Sequence, residues 1–140
     1  MEFRPAAAAD IQRLKKLDTH ITGQELENSV RLGRVYLAEE GGQLAGWLRY
    51  GLFWDSIPFL NLLFLLEGSR GKGYGRKLME YWEERMGRLG CPLVMTSTAS
   101  DEYAQHFYHK LGYSVVGGFQ PEDAPFELIL AKKLGSQERM

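Results

Sequence analysis

The stretch from residue 59 to residue 89 constrains the fold more than any other part of the chain. Phe59 to Leu66 is almost continuously apolar, as is typical of a central strand covered on both faces. Periodicity alone also allows a buried helix there, but Pro58 before the segment and the glycines after it favour a strand. Arg70-Gly71-Lys72-Gly73-Tyr74-Gly75 follows, and from Gly75 to Leu89 apolar residues recur at three- and four-residue steps opposite a charged face. The sequence therefore predicts a buried strand, a glycine-rich turn and a long amphipathic helix, in that order.

Shorter patterns complete the layout on either side. Gly41-Gly42 lies between two β-rich segments, which predicts a hairpin, and Gly90 followed by Pro92 ends the long helix. The predicted strands are Glu2 to Pro5, Val35 to Glu39, Leu44 to Trp54, Phe59 to Leu66, Leu93 to Thr96, Tyr113 to Gly117 and Glu127 to Ala131, and the predicted helices are Asp10 to Asp18, Thr22 to Leu32, Gly75 to Leu89 and Asp101 to Leu111. This order, βααβββαβαββ, indicates a mixed α/β (α+β) fold with helices packed on a sheet.

Length and composition fit one ordinary globular domain. The 140 residues show no repeat or linker, so we predict a single domain over residues 1–134 and a frayed tail over 135–140. With 17 basic and 18 acidic side chains the net charge is near zero, which argues against a nucleic-acid partner. The apolar runs are too short for a signal peptide or a membrane span, and Cys91 is the single cysteine. We expect a cytoplasmic protein without a membrane partner.

The glycine-rich turn suits a phosphate or pyrophosphate. Glycines let successive backbone amides turn inward, and the helix start adds roughly half a positive charge. Two common phosphate motifs fail on spacing. A dinucleotide fingerprint needs a third glycine where Arg76 or Leu78 stands, and a P-loop needs lysine and a hydroxyl where Tyr74 and Gly75 stand. A tight strand-to-helix connection with no ligand is the remaining alternative.

These residues resemble the GNAT superfamily of N-acetyltransferases. The acetyl-CoA signature of that family is [Q/R]-x-x-G-x-[G/A] between a central strand and a helix, and Arg70, Gly73 and Gly75 fill its defined positions. A second segment, Ala104-Gln105-His106-Phe107-Tyr108-His109-Lys110-Leu111-Gly112-Tyr113, looks like the family's A-x-x-F-Y-x-K-x-G-[F/Y]. The two motifs stand in the family's order, and the predicted order of strands and helices also matches that of the family, so the resemblance covers almost the whole chain.

The resemblance implies acetyl-CoA as co-substrate and direct transfer of its acetyl group, in a ternary complex, to a primary amine of a small molecule or peptide. It implies Tyr108 as the proton donor to the leaving thiolate. The cofactor-binding residues that it implies are Leu63, Phe64, Leu65, Arg70, Gly71, Lys72, Gly73, Tyr74, Gly75, Arg76 and Asp101. The acceptor residues that it implies come from the first two helices and the hairpin: Glu25, Asn28, Tyr50, Trp54 and Asp55, with Glu27 and Phe53 beside them. For Phe53 and Trp54, a place in the hydrophobic core is the equal alternative. Dimers are frequent in the family, and the closing strands are the expected interface of a homodimer.

The general base has no clear candidate. The strand where some members of the family carry a carboxylate reads Val94-Met95-Thr96-Ser97-Thr98 here. Glu67 and Asp101 are alternatives, although a solvated loop charge and a helix N-cap describe them equally simply. A non-catalytic CoA-binding or sensing domain is therefore the second interpretation.

Two other kinds of chemistry are disfavoured. Cys91 follows the far end of the long helix, about 20 Å from the glycine turn at 1.5 Å per residue, so we expect no acetyl-enzyme intermediate. The three histidines lack the spacing and partners of a metal site, and we expect no metal.

Overall fold

The computed structural model describes residues 1–135 and contains the predicted order of elements. The strands are β1 (Glu2–Pro5), β2 (Val35–Glu40), β3 (Gln43–Phe53), β4 (Ile57–Leu65), β5 (Leu93–Ala99), β6 (Ser114–Phe119) and β7 (Glu127–Lys133), and the helices are α1 (Ile11–Leu17), α2 (Gly23–Arg31), α3 (Tyr74–Arg88) and α4 (Ala104–Lys110). The mixed α/β prediction is confirmed. Of the predicted tail, only Gly135 falls within the described residues.

The strands form one seven-stranded sheet in the order β1-β2-β3-β4-β5-β7-β6. The β1–β2, β2–β3, β5–β7 and β6–β7 pairs are antiparallel, and β4 runs parallel to β5, with Phe59 opposite Met95 and Leu60 opposite Thr96. The sheet is therefore mostly antiparallel with one parallel pair in its interior.

Local signals position the ends of several elements as the sequence predicts. The Thr22 side chain accepts a hydrogen bond from the Glu25 amide (3.2 Å) and caps the N-terminus of α2. Gly41 and Gly42 have positive φ (59° and 78°), as a tight hairpin turn requires. Gly90, at φ 86°, ends the turn after α3 and lets the Cys91 amide bond the Met86 carbonyl (3.0 Å).

The start of α4 differs from the prediction. Residues 100–103 form a turn, in which the Ser100 amide bonds the Phe126 carbonyl (2.7 Å) and the Gln105 side chain donates to the Ser100 carbonyl (2.7 Å). The helix begins at Ala104, and its N-cap residue is Tyr103, without a side-chain cap. The N-cap role considered for Asp101 is therefore wrong, because α4 begins at Ala104 and Asp101 lies in the turn before it.

The described chain divides into two compact units. The first comprises Met1–Gly51 and Leu62–Trp82, and the second Leu52–Asn61 and the described residues from Glu83 onward. The first unit has a core of Ala6, Leu14, Leu26, Val30, Val35, Leu37 and Trp47. The second buries Leu60, Met86, Val94, Met95, Tyr108, Tyr113, Leu130 and Ala131. A single domain over residues 1–134 stays a prediction.

Candidate functional site

The glycine-rich turn belongs to the first unit and is open. Gly71 and Gly73 have positive φ (76° and 80°), and a Cβ built on either would meet no heavy atom within 4 Å. The Lys77 amide donates to the Gly73 carbonyl (3.2 Å), so the amides just before Lys77 have no acceptor one turn back in the helix. The first turn of α3 carries no acidic side chain. Gly75, the last glycine of the run, is buried, whereas Gly71 and Gly73 are exposed. Amides without a helical acceptor, a helix start and the lack of an acidic side chain in that turn suit an anionic group.

The basic residues of the turn have partners of their own. Arg70 donates from Nε to the Leu65 carbonyl (3.0 Å), and its guanidinium lies 5.4 Å from the centroid of the Phe64 ring. Lys72 Nζ lies 6.0 Å from the centroid of the Tyr74 ring, and Arg76 pairs with Glu80 at 3.1 Å. Arg70 therefore ties the turn to the end of β4 in addition to adding positive charge.

Gly46 on β3 permits a close approach of β4. A Cβ at Gly46 would lie 2.5 Å from the Phe64 carbonyl oxygen, and the Leu66 amide donates to the Ala45 carbonyl (2.9 Å). Backbone groups alternate in direction along a strand, so those of Leu63 and Leu65 point away from β3. Of the predicted strand-end residues, Leu63 and Leu65 thus present their backbone groups on the side away from β3, where Arg70 binds the Leu65 oxygen, while the Phe64 carbonyl faces β3. A lone glycine inside a strand pattern was the sequence signal for this contact.

Tyr108 lies in the second unit, on α4, and is 8% exposed. Its ring packs edge-on against Phe107 (5.2 Å between centroids) and Tyr113 (5.7 Å). Burial raises the pKa of Tyr108 to about 12; the Thr96 hydroxyl acts to lower it, and the charge of Glu102 adds to the rise. The phenol is therefore protonated at neutral pH, as a proton donor must be.

Thr96 and Glu83 are two polar residues of the second unit that the sequence did not single out. Thr96 is 2% exposed and donates from Oγ1 to the Leu60 carbonyl (3.2 Å). Glu83 accepts from the Tyr113 hydroxyl (2.7 Å) and from Lys132 Nζ (2.8 Å). Burial, followed by the charge of Glu83, raises the pKa of Tyr113. Neither group has a local sequence signal, since its partners lie 30 to 49 residues away.

The predicted acceptor residues have very different environments. Tyr50 is 8% exposed and packs against Tyr36 and Trp82 (5.9 and 5.7 Å between centroids), so it is part of the core of the first unit. Glu25 is exposed on α2, and Asn28 accepts from Gln24 (3.3 Å) and Arg31 (2.8 Å).

The hairpin turn after β3 carries the other two predicted acceptor residues. Trp54 is 79% exposed, with its ring against Phe53 (5.0 Å between centroids), so the alternative that Trp54 is a core residue is wrong. Trp54 and exposed Asp55 both have positive φ (55° and 62°), and the Ser56 amide bonds the Phe53 carbonyl (3.2 Å). The turn therefore presents an indole and a carboxylate side by side.

A buried ion pair in the first unit was missed by the sequence analysis. Asp18 accepts hydrogen bonds from Arg49 Nε (2.7 Å), Arg49 Nη2 (3.2 Å), Trp47 Nε1 (3.1 Å) and the His20 amide (3.2 Å). Burial acts to raise the pKa of Asp18, but the hydrogen bonds from Arg49 and Trp47 and the charge of Arg49 outweigh it, and the pKa is lowered. Arg49 within an apolar strand was the available signal that a buried carboxylate must face it.

The remaining candidate groups are peripheral or isolated. Glu67 and Asp101 are both exposed, the first in a short 3-10 turn after β4. Cys91 is half-buried, and burial raises the pKa of its thiol. Among residues 1–135, no three His, Cys, Asp or Glu side chains are grouped to hold a metal ion. The helices described here are all too short or too polar to cross a membrane.

Comparison with known proteins identifies a family. The model of the acetyltransferase (GNAT) family matches residues 7–113. An acetyltransferase of Agrobacterium fabrum is 30% identical over 106 residues, which are 76% of this chain and 66% of that protein. A D-amino-acid N-acetyltransferase of Saccharomyces cerevisiae is 39% identical over 62 residues, 42% of this chain and 37% of that protein. The chain thus spans about two thirds or less of the length of these relatives.

Solved structures agree on the fold. Ard1 from Thermoplasma volcanium superposes on this chain with a TM-score of 0.82 at 16% sequence identity. The superposition covers 96% of this chain and 97% of the Ard1 chain. An aminoglycoside 6'-N-acetyltransferase in complex with coenzyme A gives a TM-score of 0.79 at 15% identity, with 96% of this chain and 98% of that chain covered. At these identities the likeness is one of fold.

Proposed function

The chain belongs to the acetyltransferase (GNAT) family, and from this premise we propose that it transfers the acetyl group of acetyl-CoA to a primary amine of a small molecule or peptide. The observation that carries the proposal is the open glycine turn, with Gly71 and Gly73 in the left-handed region directly before the start of α3. Backbone amides in such a turn bind a pyrophosphate without competing side chains, because no Cβ occupies the space in front of them.

In this proposal the amides from Gly71 to Arg76 bind the CoA pyrophosphate, and Lys72 and Arg76 add positive charge. Leu63 and Leu65 pair with the pantetheine arm through the backbone groups that point away from β3, although Arg70 already occupies one position at the Leu65 oxygen. The bound thioester supplies an activated acetyl group. A backbone amide near Leu65 stabilises the developing negative charge on the carbonyl oxygen, a role that does not depend on the side chain.

Tyr108 donates a proton to the departing sulfur. Its burial keeps the phenol protonated up to high pH, and a general acid of this kind contributes about 10²- to 10⁴-fold to a rate. We expect Tyr108→Phe to lower kcat about a hundredfold or more, with CoA affinity unchanged. Tyr103→Phe, which removes a hydroxyl from a side chain that is 82% exposed, is the matched control.

The acceptor amine is neutral when it attacks, and Glu67 and Asp101 are the two proposed bases, acting directly or through water. Trp54 and Asp55 are the proposed contacts for an ammonium-bearing acceptor, because an exposed indole and a neighbouring carboxylate attract a cation. Trp54→Ala should then raise KM for the amine more than it lowers kcat.

Transfer is direct, without an acetyl-cysteine intermediate. Burial raises the pKa of the Cys91 thiol, which makes the nucleophilic thiolate rarer. Cys91→Ala should keep full turnover. Loss of turnover in a folded Cys91→Ala protein would contradict direct transfer.

One experiment separates this enzyme from a CoA-binding sensor. Purified protein, acetyl-CoA and a panel of amines and peptides are mixed, and thiol release is followed. Release with at least one acceptor, lowered in Tyr108→Phe and retained in Tyr103→Phe, supports the enzyme. CoA binding by calorimetry without release across the panel supports the sensor, and tighter binding of ATP than of CoA would overturn the CoA site itself.

The protein is also proposed to be a homodimer through β6. All six residues of β6 are exposed, none is charged, and the strand lies at the end of the sheet order, with Val116 and Phe119 61% and 52% exposed. Monomeric proteins usually protect such an edge with charges, and a second copy pairing about a twofold axis would cover it. Light scattering should give twice the monomer mass, and Val116→Lys should give the monomer. A monomeric wild type at the highest attainable concentration would refute the dimer.

A further inference from the structure

The Arg70 side chain binds a backbone oxygen that the proposed function offers to the pantetheine arm. Its Nε donates to the Leu65 carbonyl at 3.0 Å, on the side of β4 that faces away from β3. A guanidinium carries five N–H donors, and among residues 1–135 the two Nη nitrogens of Arg70 have no hydrogen-bond partner. The side chain therefore occupies one strand oxygen and still has four N–H groups to donate.

The Phe64 ring supports this guanidinium from one side. The guanidinium carbon of Arg70 lies 5.4 Å from the centroid of the Phe64 ring, which is a cation–π distance. The Phe64 ring packs in turn on the Trp47 indole (5.0 Å between centroids), and Trp47 Nε1 donates to Asp18 at 3.1 Å. Since Trp47 is 1% exposed and held by this hydrogen bond, the Phe64 ring gives the guanidinium a fixed surface on which it can turn.

A pyrophosphate at the glycine turn is a stronger partner for Arg70 than the Leu65 carbonyl. Arg70 directly precedes Gly71, and the space in front of Gly71 and Gly73 is open. A guanidinium pairs with a phosphate through two parallel hydrogen bonds between opposite charges, whereas the Leu65 carbonyl is neutral and accepts from Nε alone. Arg70 is also exposed, so water competes for its bond to Leu65. A bound pyrophosphate therefore favours the departure of Arg70 from the Leu65 oxygen.

We propose that Arg70 is a specificity-determining residue, which makes the site selective for thioesters that carry a pyrophosphate over pantetheine thioesters that lack one. The inference rests on the proposed function, in which CoA binds along the end of β4 and at the glycine turn. A ligand with a pyrophosphate draws Arg70 onto its phosphate oxygens and leaves the Leu65 oxygen to the pantetheine arm. A ligand without phosphates must compete with Arg70 for that oxygen and offers the guanidinium no replacement. The same side chain thus favours CoA and opposes free pantetheine thioesters.

Arg70→Met tests the inference with two ligands, CoA and acetyl-pantetheine, which is the thioester end of acetyl-CoA without its phosphates and nucleotide. Methionine keeps a long unbranched chain against Phe64 and removes the Nε donor and the charge. We expect the affinity for CoA, measured by calorimetry, to fall about tenfold, because a charge-assisted contact is lost. The affinity for acetyl-pantetheine, measured by NMR titration, should rise about three- to tenfold, because the competing hydrogen bond is gone. The two affinities therefore change in opposite directions.

Two further variants separate the Leu65 contact from the charge of the turn. Arg76→Met removes the same charge at the start of α3, where Arg76 pairs with Glu80 (3.1 Å), so it should weaken CoA binding without tightening acetyl-pantetheine binding. Arg70→Lys keeps the charge and removes the Nε donor, so it should bind CoA more tightly than Arg70→Met and acetyl-pantetheine more tightly than wild type. Acetyl-pantetheine affinity that is unchanged or lower in both Arg70 variants, or raised equally in Arg76→Met, would overturn the inference.

Inorganic pyrophosphate gives a second test in the unaltered protein. Pyrophosphate at the turn should tighten acetyl-pantetheine binding to wild type about three- to tenfold and leave its binding to Arg70→Met unchanged, because the coupling passes through Arg70. Equal coupling in the two proteins, or none in wild type, would refute the role of Arg70. Failure of the proposed function gives a different result, since the wild type then binds CoA no more tightly than acetyl-pantetheine and releases no thiol with any acceptor. A wild type that binds CoA and releases thiol, without a gain for acetyl-pantetheine in either Arg70 variant, would contradict the inference alone.

Discussion

Neutralising Asp18 should strongly destabilise the protein while leaving its shape intact. The Asp18 and Arg49 side chains are 0% and 8% exposed, so Asp18→Asn leaves a guanidinium buried without a counter-charge. Breaking a buried pair in this way costs about 3–5 kcal/mol. We expect Asp18→Asn to cost about 3 kcal/mol, near the lower end of this range, because the Asn oxygen can still accept from Trp47 Nε1. The NH2 group of the Asn then faces two donors, Arg49 Nη2 and the His20 amide.

The measurement is urea denaturation at pH 7, followed by tryptophan fluorescence. A domain of this kind has a total stability of about 5–15 kcal/mol, so the expected loss is a large part of it and shifts the midpoint visibly. Asp101→Asn makes the same substitution at an exposed turn position and should stay within about 0.5 kcal/mol of wild type.

The pH dependence follows from the lowered pKa of Asp18. Since the folded-state pKa lies below the unfolded value of about 3.9, the unfolded state binds more protons between the two values. The stabilisation from Asp18 is therefore complete above the unfolded pKa and is lost as pH falls toward and through the folded one. Wild type should lose more stability than Asp18→Asn on acidification from about pH 5 to pH 3.

A second substitution shows whether the buried charge is the cause. Asp18→Asn combined with Arg49→Met removes the uncompensated guanidinium, so the double variant should be more stable than Asp18→Asn alone. The reasoning fails if Asp18→Asn unfolds within about 0.5 kcal/mol of wild type, or if the two substitutions destabilise additively.

Three further predictions concern the turn, the sheet and α3. Gly73→Ala puts an alanine at φ 80°, which should lower the unfolding free energy by about 1–2 kcal/mol although no atom lies within 4 Å of the new Cβ. Calorimetry should also show weaker CoA binding, and unchanged stability and CoA affinity would contradict the prediction. Gly46→Ala brings a Cβ to 2.5 Å from the Phe64 oxygen, so thermal unfolding should show a loss of about 1–3 kcal/mol, and an unchanged Tm would refute the close contact. Glu83→Gln removes the counter-charge of Lys132 and should lower the unfolding free energy by about 1–2 kcal/mol. The same substitution at exposed Glu84 should leave the unfolding free energy nearly unchanged, and equal losses in the two variants would refute a stabilising role of the Glu83–Lys132 pair.

The order of elements was predictable because its signals are local. The apolar run before the glycine turn, the three- and four-residue steps of α3 and the positive-φ glycines at 41, 42 and 90 each act within a few residues, and all lie as predicted. The family motif is also local, since Arg70 to Gly75 and Ala104 to Tyr113 are short runs whose spacing can be counted. The start of α4 was misplaced because Ser100 bonds Phe126, a partner 26 residues away.

What the sequence by itself determined was therefore the succession of strands and helices, the family, and the turn and tyrosine proposed to act. Only the tertiary structure decided which side chains are buried and which distant residues they contact. The resemblance implied Tyr50 as an acceptor residue, and its burial against Tyr36 and Trp82 became visible only in the structure. The Asp18–Arg49 pair and the Thr96–Leu60 bond join residues 31 and 36 apart. Periodicity and spacing report on neighbours along the chain, whereas burial and hydrogen-bond partners depend on which distant strands and helices pack together.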